Sequence, residues 1–235
     1  MMEDISKIEK KIGIKFKNQE LLQQAFVHRS FLNENKNFKL DHNERLEFLG
    51  DAALELVVTE YLYNNFPNPE GELTNWRAAL VKGTTISKIA KDLGYEEHLM
   101  LSKGESKSNG KARDLILANT FEAVLGAIYL DQGYKTVDKF IKKNLIPQLE
   151  EIISKKLYQD SKSCFQEMVQ EKTGITPTYK LEKEEGPDHN KVFTMAVFIG
   201  DKKITTGRGP SKQSAEQEAA RIALDLWEEN IQNDH

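Results

Sequence analysis

"NERLEFLGDAALELVV", residues 43–58, decides how this chain is to be read. Leu46, Leu49, Leu54, Leu56 and Val57 recur at helical spacing, yet Glu44, Glu47, Asp51 and Glu55 stand among them. At about 100° per residue the four acids fall on one narrow stripe. The five aliphatic residues lie opposite, and Phe48 and Val58 flank the acids. Ionised carboxylates among apolar neighbours are costly unless a partner compensates them. A divalent cation is the simplest partner. Hard oxygen ligands suit Mg²⁺ or Mn²⁺, and the lack of nearby His and Cys argues against zinc.

One helix rarely encloses an ion, so a second ligand source is expected. "LILANTFEAVLGAIYL", residues 115–130, provides it: Asn119 and Glu122 are three apart, on one face of another apolar helix. Glu47 and Asp51 facing Asn119 and Glu122 would line a site with oxygen. Glu44 and Glu70 add carboxylates for a second ion or a water. Spacing alone leaves a solvated acidic face as the alternative, and that is the preferred reading for Glu55 and Glu60.

Outward from this pair, residues 1 to about 152 read as successive helices with no alternating strand pattern. "KLYQDSKSC", residues 156–164, is short and polar and reads as a linker. "CFQEMVQEKTG" is then an amphipathic helix, and "TPTYKLEKEEG", "KVFTMAVFIG" and "KKITTGRG" alternate like three strands. "SKQSAEQEAARIALDLWEEN" closes as a helix with Ser211 as its N-cap. The expected fold is an all-α domain over 1–154, a linker over 155–162 and a small α+β domain, ordered α-β-β-β-α, over 163–232.

With 235 residues, 39% hydrophobic and 30% charged, the chain has enough apolar material for packed cores. No apolar run is long enough to span a bilayer, so no membrane partner is expected, and "MMEDISKIEKKIG" lacks the apolar stretch of a secretory signal. Cys164 is the only cysteine, which rules out an intrachain disulfide and suits a reducing cytoplasm. Net charge is −4, and both halves are slightly acidic. A polyanion must therefore be met by a local basic patch.

"HNERLEFLGDA", residues 42–52, resembles the signature of the ribonuclease III family. "FVHRSFLNE" (26–34), "EGELTNWRAALV" (70–81), "LSKGESKSNGKARD" (101–114) and "ANTFEAVLGAIYLDQG" (118–133) fall in order where that family has its blocks. The resemblance implies a helical endonuclease domain that dimerises through its signature helices and leaves a catalytic valley across the homodimer. It implies hydrolysis of double-stranded RNA by metal-activated water, giving 5′-phosphates and short 3′ overhangs. Glu47, Asp51 and Glu122 match metal or catalytic positions, and Glu44 and Glu70 match acids lining the valley. Asn119 departs from the Asp usual there. An amide oxygen still ligates Mg²⁺, but without charge, so the alternative is a member that binds RNA and cuts weakly or not at all. His28 and His42 read as turn or helix-end residues rather than bases.

The tail resembles the double-stranded-RNA-binding domain, which reads A-form shape through 2′-hydroxyls and phosphates. Gln166 and Glu167 match contacts on its first helix. Pro187 and His189 lie in the loop between its first strands. Ser211, Lys212 and Gln213 open the last helix, whose N-terminus suits a phosphate. The family usually has two adjacent lysines where this chain has Lys212–Gln213, a loss that Arg208 or Lys203 would offset. In the helical half, Lys103, Lys107, Lys111 and Arg113 form the expected basic patch. A helical metal-storage protein is a weaker reading, since it expects Glu-x-x-His pairs and none lies on these helices.

Overall fold

The computed structural model describes residues 5–158, 160–187 and 191–233. The chain divides into two compact units, Met1–Tyr158 and Gln159–His235.

Among the described residues the first unit is helical throughout: α1 (Ile5–Ile12), α2 (Gln19–Ala25), α3 (Arg29–Glu34), α4 (Glu44–Asn65), α5 (Glu70–Leu80), α6 (Gly83–Asp92), α7 (Lys111–Gln132), α8 (Tyr134–Asn144) and α9 (Gln148–Ser154). Local chemistry sets the ends. The Asn18 side chain caps α2 by accepting the Glu20 N–H at 3.0 Å, and His28 caps α3. α4 stops at Phe66, which is extended because Pro67 follows it. α5 and α6 are separate helices, since Lys82 between them is extended. One isolated parallel bridge, Val27 to Met100, ties the segment after α2 to the loop before α7.

α7 is the central element. Ile116, Leu117, Phe121, Val124, Leu125 and Ile128 are all buried, so it is covered on most sides, as an apolar helix without one polar face must be. Phe121 sits between Tyr95 and Phe140, with ring centroids at 6.3 and 6.0 Å, and Tyr95 meets Phe26 edge-on at 5.2 Å. α4 lies along α7 and buries Leu46, Leu54, Val57, Val58 and Leu62. Not all of its apolar residues join this core. Leu56, on the aliphatic side by helical spacing, is 57% exposed, and Phe48, which flanks the acids, is 81% exposed, so spacing does not distinguish core from open surface.

In the second unit α10 (Ser161–Thr173) precedes the antiparallel sheet β1 (Thr178–Glu185), β2 (Val192–Ile199) and β3 (Lys202–Gly209), with β2 central, and α11 (Lys212–Asn233) follows. α10 starts before Cys164 because the Asp160 carboxylate accepts the Ser163 N–H at 3.2 Å and caps it. Phe165 and Val169 of α10 pack with Val197 and with Ala219, Ala220 and Ala223 of α11. The small alanines let α11 lie close against the sheet.

Candidate active site and nucleic-acid interface

α4 and α7 touch through glycine. A Cβ on Gly50 would stand 1.7 Å from the Glu122 carbonyl oxygen, and one on Gly126 would stand 2.2 Å from that of Leu46. Only glycine at both positions permits this backbone contact. Sequence reading did not single these residues out, although "FLGDA" and "VLGAI" each show a lone Gly inside a helical run.

The contact brings Glu47 and Asp51 of α4 beside Asn119 and Glu122 of α7. Asn119 hydrogen-bonds the Glu47 side chain. Glu122 is half-buried, and its carboxyl is pushed up to about 7, first by burial and then by the negative charges of Asp51 and Glu47. The Glu47 carboxyl is also raised, by burial, by Glu44 and by Asp51, with the Asn119 hydrogen bond opposing. So the four residues expected to form a site share one field.

Glu44 stands at the mouth of this cluster, on the first turn of α4, and faces the Arg29 guanidinium at 3.5 Å. Glu70 does not belong to the cluster within one chain. It opens α5 beyond the far end of α4, where it accepts a hydrogen bond from the Thr74 hydroxyl at 3.0 Å. The helix from Glu47 to Asn65 runs about 27 Å, which separates Glu70 from the other acids. Glu55 pairs with Arg77 at 3.1 Å and Glu60 hydrogen-bonds Tyr134, so neither joins the cluster.

The donor set is carboxylate and amide oxygen, which suits a hard divalent cation. Among the described residues no three Asp, Glu, His or Cys side chains stand as a ready-made metal cluster. One of the four expected ligands is an amide, which leaves Glu47, Asp51 and Glu122 as the acids of the set. The raised Glu122 carboxyl marks a place where added positive charge is favoured, and on that ground the residues fit a cation.

Arg113, expected among the RNA-binding residues, turns inward. Its side chain is only 11% exposed, and it donates to the backbone carbonyls of Ser106 at 2.7 Å and Ser108 at 3.3 Å. It is committed to the loop beneath Lys107, which itself is exposed. Position 113 is the third residue of α7, so its inward direction depends on packing that spacing does not reveal.

In the second unit Gln166 and Glu167 are exposed on α10, and Pro187 is exposed at the end of the described β1–β2 loop. His189 lies outside the described residues. Lys212 and Gln213 are exposed on the first turn of α11. The Ser211 hydroxyl accepts the Ser214 N–H at 3.1 Å, while the Ser214 hydroxyl accepts the Ser211 N–H at 3.1 Å, a reciprocal cap. Arg208 and Lys203, the suggested substitutes for a second lysine, already face Glu185 at 3.4 Å and Glu182 at 2.5 Å. A phosphate would have to displace those carboxylates. Among the described residues no helix is long and apolar enough to cross a membrane.

The family model described as ribonuclease-III-like matches residues 18–149, and that of the double-stranded RNA binding motif matches residues 161–226. The chain is 45% identical over 220 residues to a protein named ribonuclease 3 from Streptococcus thermophilus, covering 93% of this chain and 96% of that one. It is 43% identical to ribonuclease 3 of Enterococcus faecalis, covering 93% and 95%. A crystal structure of the nuclease domain of ribonuclease III from Campylobacter jejuni superposes with a TM-score of 0.55 at 39% identity, covering 61% of this chain and 95% of that one. A second structure of that domain, whose subject is flexibility in a region of dimer formation, has a TM-score of 0.54 at 40% identity, covering 60% and 98%. The acidic helix pair, the sheet-and-helix tail and this similarity along nearly the whole length agree: the chain belongs to the ribonuclease III family of double-stranded-RNA endoribonucleases.

Proposed function

We propose that this endoribonuclease of a metal-dependent family works as a Mg²⁺-dependent homodimer, with Glu47, Asp51, Asn119 and Glu122 as the metal-binding side chains of each copy. The observation that carries the reading is the close crossing of α4 and α7 at Gly50 and Gly126, which sets Glu47 and Asp51 beside Glu122 and lifts its carboxyl to about 7. A bound Mg²⁺, or Mn²⁺ in its place, would polarise the scissile phosphate and lower the pKa of a water. Glu122 and Asp51 would offer it carboxylate oxygens, the cation favouring the ionised form of Glu122, and Asn119 would offer its amide oxygen while its N–H engages Glu47. Glu44, held near Arg29, orients water at the mouth. An amide oxygen remains a hard ligand, so the reading in which Asn119 leaves a binding-only protein is not favoured.

The homodimer rests on the exposed stripe of α4. Phe48, Leu56 and Tyr63 (78% exposed) follow one another along its open side. At the far end of the same helix is a hollow of about 680 Å³ lined by Leu62, Phe66, Leu73 and Glu70. A second copy packed antiparallel about a two-fold axis would seat each Phe48 near the partner hollow. It would also carry each Glu70 toward the opposite acidic cluster, which the distance along α4 forbids within one chain. Two clusters then face one duplex and cut both strands, leaving 5′-phosphates and short 3′ overhangs. RNA is held by the tail through Gln166, Glu167, Pro187, His189, Ser211, Lys212 and Gln213, and by Lys107 in the first unit. The lone cysteine suits a reducing cytoplasm.

Incubating the protein with long duplex or single-stranded RNA, in Mg²⁺, Ca²⁺ or chelator, tests this reading. Cleavage confined to duplex with Mg²⁺ is expected. Cleavage that persists in chelator would overturn it.

A further inference from the structure

The segment from Lys103 to Gly110 contains only a 3-10 turn over Glu105–Lys107, yet its backbone is fixed from two directions. On one side Arg113 reaches back from the first turn of α7. Its guanidinium donates to the carbonyls of Ser106 at 2.7 Å, Ser108 at 3.3 Å and Glu105 at 3.5 Å, and faces the Glu96 carboxylate at 3.6 Å. On the other side both oxygens of Glu34, the last residue of α3, accept the Lys103 N–H at 3.3 and 3.2 Å. The Ser30 hydroxyl accepts the Ser102 N–H at 3.1 Å, one residue earlier. Lys103 and Lys107 are exposed between these anchors, while Arg113 beneath them is nearly covered.

The three carbonyls are shared between Nε and one terminal nitrogen of a rigid planar fork. A lysine ammonium has three donors but on a single nitrogen, so it does not reproduce that spacing. A turn already ordered in the free protein does not lose that conformational freedom again when RNA binds. The lysines it carries are then presented at a fixed spacing.

We propose that Arg113 is a positioning residue for RNA binding: it touches no phosphate and instead holds the 102–108 turn so that Lys103 and Lys107 meet the duplex backbone. Glu34 is its counterpart from the opposite side. This rests on the reading of the turn as an RNA contact, so the lysines and the staples are tested separately.

The measurements are kcat and KM on one labelled duplex, the salt dependence of KM, and amide hydrogen exchange across 102–108, all on the full chain. Arg113→Lys and Arg113→Ala should raise KM about tenfold, keep kcat within about twofold, and speed exchange in the turn. Glu34→Ala, at an exposed site where folding is not at stake, should shift KM and exchange in the same direction. Lys103→Ala and Lys107→Ala should each raise KM and lower the salt slope by about one, with exchange unchanged. If the Arg113 variants lower the salt slope by about one and leave exchange unchanged, Arg113 is a direct phosphate contact and the proposal falls. Faster exchange with unchanged KM in the Arg113 and Glu34 variants, while the lysine variants weaken binding, would overturn the positioning role alone. Lysine variants without effect would remove the RNA contact, and the positioning role with it.

Discussion

The Asn119 amide hydrogen-bonds the Glu47 carboxylate, joining α7 to α4 inside the acidic cluster. That bond partly relieves a carboxylate which burial, Glu44 and Asp51 all push toward its protonated form. Asn119→Asp would exchange this relief for repulsion. The variant should need several-fold less Mg²⁺ for half-maximal rate, and it should melt lower than wild type in chelator. At saturating Mg²⁺ the two rates should converge, and Mn²⁺ should favour the Asn form relatively more than Mg²⁺ does. Metal titrations of both proteins on one duplex check this. Identical metal requirements would mean that Asn119 is not a ligand.

Glu122→Gln should abolish cleavage while duplex affinity stays within about twofold, since the proposed RNA contacts lie on the tail and the lysine turn rather than at this carboxylate. Binding is read by titration in Ca²⁺ and cleavage in Mg²⁺. Equal loss of both in a folded variant would contradict the assignment.

Glu122 also makes stability depend on pH in metal-free protein. Its carboxyl titrates near 7 when folded, against an ordinary value of 4.5. The folded state therefore binds more protons between these values. The stability this contributes is fully present below about pH 4.5 and is lost as pH rises through 7. The difference between wild type and Glu122→Gln should change by on the order of 2 kcal/mol across that window, after discounting for the solvated part of the side chain. Denaturant unfolding in chelator at several pH values measures it. A difference that stays flat would show that Glu122 is not desolvated.

Gly50→Ala should cost roughly 3 kcal/mol or more, because the added carbon meets backbone that cannot yield without parting α4 from α7. Cleavage should fall further than the unfolded fraction explains, since the same displacement separates Glu47 and Asp51 from Glu122. Gly71 is the control: it lies in α5 with nothing within 4 Å of the added carbon. Gly71→Ala should be neutral or stabilising by up to about 1 kcal/mol. Equal effects at the two positions would refute the close crossing.

Ending the chain after Tyr158 should leave a folded dimer that cuts at low salt. The first unit holds its own core, and Tyr158 completes it by packing edge-on against Trp76 at 6.1 Å. Ending at Ser154 would forfeit that contact and should lower the melting temperature. RNA affinity should drop in both cases, and lower salt should recover part of it. A monomeric product, seen by sedimentation, would refute the α4 interface.

Much of this architecture is legible in the chain because helix and strand periods are local. The acid stripe of residues 44–55, the facing pair Asn119 and Glu122, and the alternation of 178–209 follow from geometry within a few residues. So do end signals such as Pro67 and Ser211. Packing decided the rest. Leu56 obeys the same helical spacing as Leu54, yet it faces outward, because periodicity records that a side is apolar and not what covers it. Glu70 looks like one more acid until the length of α4 separates it from the cluster. Arg113 looks like one more cation until its guanidinium is found beneath the turn. Gly50 and Gly126 look like breaks in good helices, yet they are where the two helices meet. In each case the deciding contact joins residues distant in sequence, and its energy depends on a neighbour that only the folded chain brings within reach.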